Sequence, residues 1–203
     1  MNSGATTERV YDRLRARIMN REFRPGDRLD AAVLAPTLSS SVTPVRDALH
    51  LLTGEGLIQT RTSGGFHMPA LDEPGLEDMY DWSAELLAMS LRGWPRRVEY
   101  GASAEDASSG LSIAQRTADL FQSIGRRSDN REHGLAIERL NARMHAIRGI
   151  EATVRLQPEK EMDALAAAFM HADRDGLRRL SVAYHRRRRR AAAEIVRAMY
   201  RMD

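Results

Sequence analysis

The stretch Thr43-Pro44-Val45-Arg46-Asp47-Ala48-Leu49, with Gly56-Leu57-Ile58 and Gly64-Gly65-Phe66 behind it, narrows the possible folds more than any other in the chain. A threonine side chain accepts from the free amides of a first helical turn, and proline has no amide to leave unpaired. The sequence therefore predicts a helix capped by Thr43 and begun by Pro44. Val45, Ala48, Leu49 and Leu52 recur at i, i+3, i+4 and i+7, one buried stripe, while Arg46, Asp47, His50 and Thr53 face away. A helix that starts with exposed amides and a nearby arginine suits phosphate and base edges in a major groove.

The flanking sequence extends the unit. Thr6 to Arg21 carries Val10, Leu14 and Ile18 four apart, and Pro25-Gly26-Asp27 breaks the chain after it. Asp30 is placed to cap a short helix through Val33, Leu34 and Leu38, and Ser39-Ser40-Ser41 turns it into the next helix. The order is helix-turn-helix. Leu57 to Thr60 and Phe66 to Met68 read as two strands around Arg61-Thr62-Ser63-Gly64-Gly65, a hairpin whose glycines permit positive φ and close approach to another backbone.

Glu8-Arg9-Val10-Tyr11, Phe23-Arg24-Pro25-Gly26-Asp27-Arg28-Leu29, Val42-Thr43-Pro44-Val45-Arg46-Asp47-Ala48-Leu49, Leu52, Glu55-Gly56-Leu57-Ile58 and Gly64-Gly65-Phe66 together resemble the winged-helix domain of GntR-type bacterial transcription regulators, over roughly residues 6 to 70. The resemblance implies that the third helix and the wing contact double-stranded operator DNA, through Ser41, Thr43, Arg46, Ser63, Gly64 and Gly65. Two positions depart from the pattern. Val42 stands where the family usually has arginine, and Ala31-Ala32 stand where an arginine is common. Each absent guanidinium removes a phosphate or guanine contact, which bears on affinity and operator sequence.

Length suits one small DNA-binding module plus one larger domain, 203 residues with 42% hydrophobic. The expected division is a winged-helix domain over 1–70, a linker over 71–75 and a helical domain over 76–203. Net charge is only +3, so DNA binding has to depend on local patches. Lys160 is the sole lysine, and the arginine preference is read as genome composition. Zero cysteines excludes disulfides and thiol catalysis. The first twenty residues are charged and lack an apolar core, and no run approaches membrane-spanning length. A cytoplasmic protein with no membrane partner is expected.

Beyond Pro69-Ala70-Leu71-Asp72-Glu73-Pro74 strand signals vanish. Alanine-, leucine- and arginine-rich periodicity predicts helices near 74 to 92, 104 to 125, 131 to 150, 158 to 171 and 174 to 201, with Gly101 to Ser109 the least ordered segment. The expected fold class is mainly α: an N-terminal winged helix-turn-helix with a small β-hairpin wing, then an all-helical bundle. The second half is similar, more weakly, to the FCD-type helical effector domain of FadR-like regulators. That resemblance implies a homodimer and a small-molecule effector, often bound through a metal on an Asp-x-x-x-His helix and two later histidines. Here Asn141 falls at the aspartate position, His145 at the first histidine, Met162 at the second and His185 at the third. A neutral amide and a thioether suit neither a hard nor a borderline divalent ion, so no metal and no cofactor is expected.

Two readings of the remnant stay open. His145 and His185 are polar groups satisfied by neighbours, or Asn141, His145 and His185 line a metal-free pocket for a polar effector. In the second reading Arg188 or Arg189 supplies the positive charge that a metal would give, and the effector is anionic. Arg186 to Arg190 points every way around a helix and is not one basic face; with His185 inward, Arg189 lies about 40° and Arg188 about 60° from it, so at least one guanidinium must border the interior or a dimer surface and be paired. Trp82 and Trp94 are expected in core or interface, and no catalytic constellation is present. The sequence reads as a ligand-responsive DNA-binding regulator, a repressor that binds a palindromic operator as a dimer. The alternative is a DNA-binding architectural or constitutive factor whose helical domain only dimerises.

Overall fold

The computed structural model describes residues 3–62, 64–95, 110–154 and 156–201. Ser63 and the Gly101 to Ser109 segment lie outside them. The chain divides into two compact units, Met1–Leu71 and Asp72–Asp203.

In the first unit α1 (Ser3–Met19), β1 (Arg28–Leu29), α2 (Ala31–Thr37), α3 (Val42–Gly54), β2 (Gln59–Thr60) and β3 (Phe66–His67) follow in order. Val10, Leu14 and Ile18 of α1 meet the fully buried stripe Val45, Ala48, Leu49 and Leu52 of α3, with Leu34, Ala35, Leu38, Leu57 and Ile58 closing the core. Three arginines of α1, four residues apart, reach the end of α2. Arg9 donates to the Ser39 carbonyl at 3.4 Å, Arg13 to the Leu38 carbonyl at 3.3 Å and Arg17 to the Thr37 hydroxyl at 3.0 Å. Positive charge and donors at a helix C-terminus oppose its dipole and occupy carbonyls that have no helical partner.

Two details differ from the sequence reading. Helix α3 begins at Val42 with Ser41 as its N-cap residue, in extended conformation and without a side-chain cap bond, so Thr43 is not the cap. Proline fits here because no first-turn amide has an intrahelical acceptor, which leaves the starting residue undetermined by Pro44 alone. The wing also has a third strand: β1 pairs antiparallel with β3, Arg28 opposite His67, while β2 pairs on its other edge, Gln59 opposite His67. A two-residue strand is too short to show an alternating pattern.

The second unit is helical: α4 (Glu73–Arg92), α5 (Ile113–Arg126), α6 (Arg131–Glu151), α7 (Pro158–Met170), α8 (Arg174–Arg190) and α9 (Ala192–Tyr200). Asp72, Ser112, Asn130 and Asp173 cap α4, α5, α6 and α8 by accepting from the amides of Gly75, Gln115, Glu132 and Gly176. The Asp72 cap places most of the 71–75 stretch, read as a linker, in the first turn of α4. The single helix expected over 174 to 201 is broken at Ala191, φ −97 and ψ 2, and nothing in the local sequence marks the break. Beyond it α9 buries Ala192 and Ile195. Helices α5 and α6 cross closely at Gly125 and Gly134, where a Cβ on Gly125 would lie 2.7 Å from Ile137 Cδ1 and 3.1 Å from Gly134 Cα. Trp94 is buried and donates its indole N–H to the Ile124 carbonyl at 3.0 Å, whereas Trp82 is exposed.

Candidate nucleic-acid interface and polar core

The start of α3 and the wing are both exposed on the first unit. Ser41, Thr43 and Arg46 are exposed, the last on the side of α3 away from its buried stripe. Gly64 and Gly65 are exposed with φ of +86 and +84, a conformation that costs a side-chain-bearing residue energy and that glycine adopts freely. The turn is closed by the Gly64 amide donating to the Arg61 carbonyl at 2.8 Å. His50, on the outward side of α3, meets the Phe66 ring edge-on at 4.9 Å and so fixes the wing against the helix. Tyr11 donates to Glu55 at 2.5 Å, and burial followed by that carboxylate pushes the phenol up to about 12. Sequence reading missed Arg28. Its guanidinium lies beside the wing, 3.6 Å from where a Gly65 Cβ would stand, and is 69% exposed. Strand β1, which carries it there, was not recognised.

Of the remaining expected residues, Asn141, His185 and Arg188 lie in the interior of the helical unit. Asn141 is buried, donating to the Ala118 carbonyl at 2.9 Å and accepting from Arg148 at 2.8 Å. His145 is half-buried one turn along. His185 is buried, its Nδ1 2.7 Å from the Ser181 carbonyl, which obliges that nitrogen to carry hydrogen; Nε2 then accepts from the Ser83 hydroxyl at 2.9 Å. Burial lowers its pKa from 6.5 to about 3, so the ring is neutral. Arg188 is completely buried: Nε donates to Glu151 at 2.6 Å, Nη1 to Glu161, and its guanidinium stacks 3.3 Å from the centre of the Tyr184 ring. Arg189, by contrast, is exposed and pairs with Asp81 at 3.0 Å. The stripe that α8 buries, Leu177, Ser181, Tyr184 and Arg188, places His185 at its margin and Arg189 beyond it.

Around these lies a network that the sequence reading did not assemble. Glu151 also accepts from Tyr80 at 3.0 Å. Burial raises the Glu151 carboxyl, and Arg188 and Arg148 oppose the shift. Arg148 sits over Phe121 at 5.1 Å, and Phe121 meets both Tyr184 and His185. Arg148 Nε, Arg188 Nη2 and the Tyr184 hydroxyl are buried without a hydrogen-bond partner among the described residues. Glu161 and Glu151 come from 27 and 37 positions away from Arg188, a pairing no local pattern reveals. A divalent ion does not fit these residues. Asn141 Oδ1 and His185 Nε2 are already engaged, Met162 is a buried thioether, and two guanidinium groups share the same interior. Among the described residues no group of three or more His, Asp or Glu is placed to hold a metal.

Residues 6–68 match the family model "Bacterial regulatory proteins, gntR family". The N-terminal unit belongs to the GntR family. Over 70 residues the chain is 40% identical to the Nta operon transcriptional regulator of Aminobacter aminovorans, covering 34% of this chain and 33% of that protein. Over 100 residues it is 32% identical to the uncharacterised HTH-type transcriptional regulator BphR of Paraburkholderia xenovorans, 49% of this chain and 40% of that one. The matched segments thus span between a third and two fifths of these relatives. Both units have counterparts in solved structures. A putative GntR transcriptional regulator from Rhodococcus sp. RHA1 aligns with TM-score 0.70 at 17% identity, covering 96% of this chain and 99% of that one. McbR/YncC of E. coli aligns with TM-score 0.59 at 19% identity, 96% and 98% covered. At that identity these two establish the fold: a winged helix followed by a helical domain.

Proposed function

We propose that the chain is a ligand-responsive DNA-binding transcriptional regulator, a repressor that binds a palindromic operator as a homodimer in the cytoplasm. The observation that carries it is the exposure of Ser41, Thr43 and Arg46 at the start of α3, together with an exposed wing of two positive-φ glycines flanked by Arg61 and Arg28. Free amides and a guanidinium at a helix start address phosphate and base edges, and flat glycines let a backbone approach closely. Two-fold symmetry would supply the affinity that one small module lacks. Arg46→Ala should weaken binding to the native upstream palindrome by about 1 to 3 kcal/mol, and to scrambled DNA by less, at one salt concentration. Unchanged affinity for both would refute the assignment.

The helical unit supports the FadR-like assignment through its fold, and an anionic small molecule is the effector class that its interior favours. Arg148 Nε, Arg188 Nη2 and the Tyr184 hydroxyl have no acceptor among the described residues, and a carboxylate supplies several in one plane. Asn141 and His185 are buried in that interior, and in this reading half-buried His145 joins them while the anchoring charge sits on Arg188 rather than on exposed Arg189. The second reading, a constitutive factor whose helical domain only dimerises, draws on the internal engagement of Asn141, His185 and Arg188. No metal, cofactor or catalytic residue enters either reading. No described helix is long and apolar enough to cross a membrane.

A further inference from the structure

Arg188 holds two carboxylates, and the two are bound unequally. Glu151, at the end of α6, has a side chain only 2% exposed and commits both oxygens inside: Oε2 accepts from Arg188 Nε at 2.6 Å and Oε1 from the Tyr80 hydroxyl at 3.0 Å. Glu161, in the first turn of α7, is 11% exposed and shared, Oε2 accepting from Arg188 Nη1 and Oε1 from Arg187 Nε. That division leaves the guanidinium short of an acceptor. Its Nη1 and Nη2 form a fork that matches the two oxygens of one carboxylate. Glu161 reaches Nη1 only, because its other oxygen is drawn to Arg187, and Nη2 has no partner among the described residues. Arg187 is itself 44% exposed and can keep Glu161 as a partner at the surface.

We propose, resting on the anionic-effector reading above, that Glu161 is a displaceable internal ligand: it occupies the carboxylate seat on Arg188 in the free protein, and a small carboxylate binds by taking that seat while Glu161 withdraws to Arg187. One carboxylate enters as another leaves, so Arg188 is at no stage left as an uncompensated buried charge. The incoming group gains what Glu161 lacks. Untethered to a helix, it can meet Nη1 and Nη2 together. Glu151 is not the group exchanged, since its departure would strip both Arg188 Nε and the Tyr80 hydroxyl of their acceptor. The exchange also reaches the fold. Glu161 ties the first turn of α7 to α8, so its release frees that turn while Glu151 continues to tie α6 to α8. A carboxylate that binds only when Glu161 has withdrawn shifts the population toward the state with α7 released.

The probe is acetate, titrated at pH 7 against sodium chloride of equal ionic strength, with thermal melts of the full chain followed by circular dichroism. Glu161 competes for the seat in the parent, and Glu161→Ala leaves it empty. The variant should bind acetate with a dissociation constant at least about tenfold below the parent's, seen as a larger rise in Tm, because the binding-competent state is no longer rare. Glu159→Ala removes an exposed carboxylate of the same turn, one that pairs with Arg116, and should respond to acetate as the parent does. If Glu161→Ala is unfolded in chloride, acetate should restore its helical signal, and Glu161→Asp, which keeps the charge on a side chain one carbon shorter, should bind acetate at least about threefold more tightly than the parent. An acetate response no stronger in the Glu161 variants than in the parent, or one matched by Glu159→Ala, would overturn the proposal. Operator affinity with and without acetate separates this from effector sensing. Acetate binding by Glu161→Ala that leaves DNA affinity unchanged keeps the exchange and removes the regulatory reading, whereas an acid that releases DNA from the parent while Glu161→Ala gains nothing for acetate does the reverse.

Discussion

His185 begins with a side chain that ordinarily titrates near neutrality and ends as a fixed neutral ring. Its Nδ1 hydrogen goes to a backbone carbonyl, its Nε2 lone pair to the Ser83 hydroxyl, and two guanidinium groups nearby make a further positive charge costly. The consequence for stability has a definite sign. The unfolded ring takes a proton below about 6.5 while the folded ring resists until about 3, so between these values the unfolded state binds more protons and stability falls as pH falls. At pH 5 the loss is about 2 kcal/mol, 1.5 units below the unfolded value at 1.36 kcal/mol each. Urea unfolding of the parent and of His185→Gln at pH 7 and pH 5 should show a steeper loss in the parent by about that amount. Parallel losses in the two proteins would mean that His185 is protonated in the fold.

At the scale of elements, glycines of similar sequence context have opposite duties. Gly125 sits where α5 crosses α6, and an added methyl would collide with Ile137 and with the Gly134 backbone, so Gly125→Ala should destabilise by about 1 to 3 kcal/mol. Gly149, late in α6, has nothing within 4 Å of its would-be Cβ, and Gly149→Ala should stabilise by about 0.5 to 1 kcal/mol through helix propensity alone. Thermal melts of the two variants should move in opposite directions, and a shared direction would refute the crossing. The same contrast explains what the sequence could disclose. The buried stripe of α3, the Asp30 cap and the helical character of the second unit follow from spacing within a few residues, and each is found. Local spacing does not carry the start of α3, since proline fits anywhere in the first turn, nor the break at Ala191, which has no glycine or proline. Nor could it assemble Glu151, Glu161 and Arg188. A charged residue on a helix reads as solvated until three helices are seen to bring its partners inside. Placing Asn141, His185 and Arg188 in one interior depended on a family pattern, and Arg28 was missed because its strand is two residues long.

For the whole molecule the open choice is between an effector-sensing regulator and a constitutive one, and one hydroxyl separates them. The Tyr184 OH is buried, burial and the nearby Glu151 charge push it up to about 12, and no described residue accepts from it. A buried donor with no acceptor is a cost to the free protein, whereas phenylalanine keeps the ring on which Arg188 stacks. Tyr184→Phe should therefore stabilise the free protein by about 1 kcal/mol, seen as a higher Tm. If that donor is kept for an anionic ligand, a panel of small carboxylic acids will contain some that raise the parent's Tm and shift the variant's less. Linkage then adds a requirement: an acid that weakens operator binding by some factor must itself bind the DNA-bound protein more weakly by the same factor. Acids that stabilise the parent without altering DNA affinity would show binding without regulation. An acid-independent Tm in both proteins would favour the constitutive reading, with the polar core serving only to hold α6, α7 and α8 together. A variant less stable than the parent would mean that the hydroxyl already has an acceptor, and the case for a ligand there would lose its strongest support.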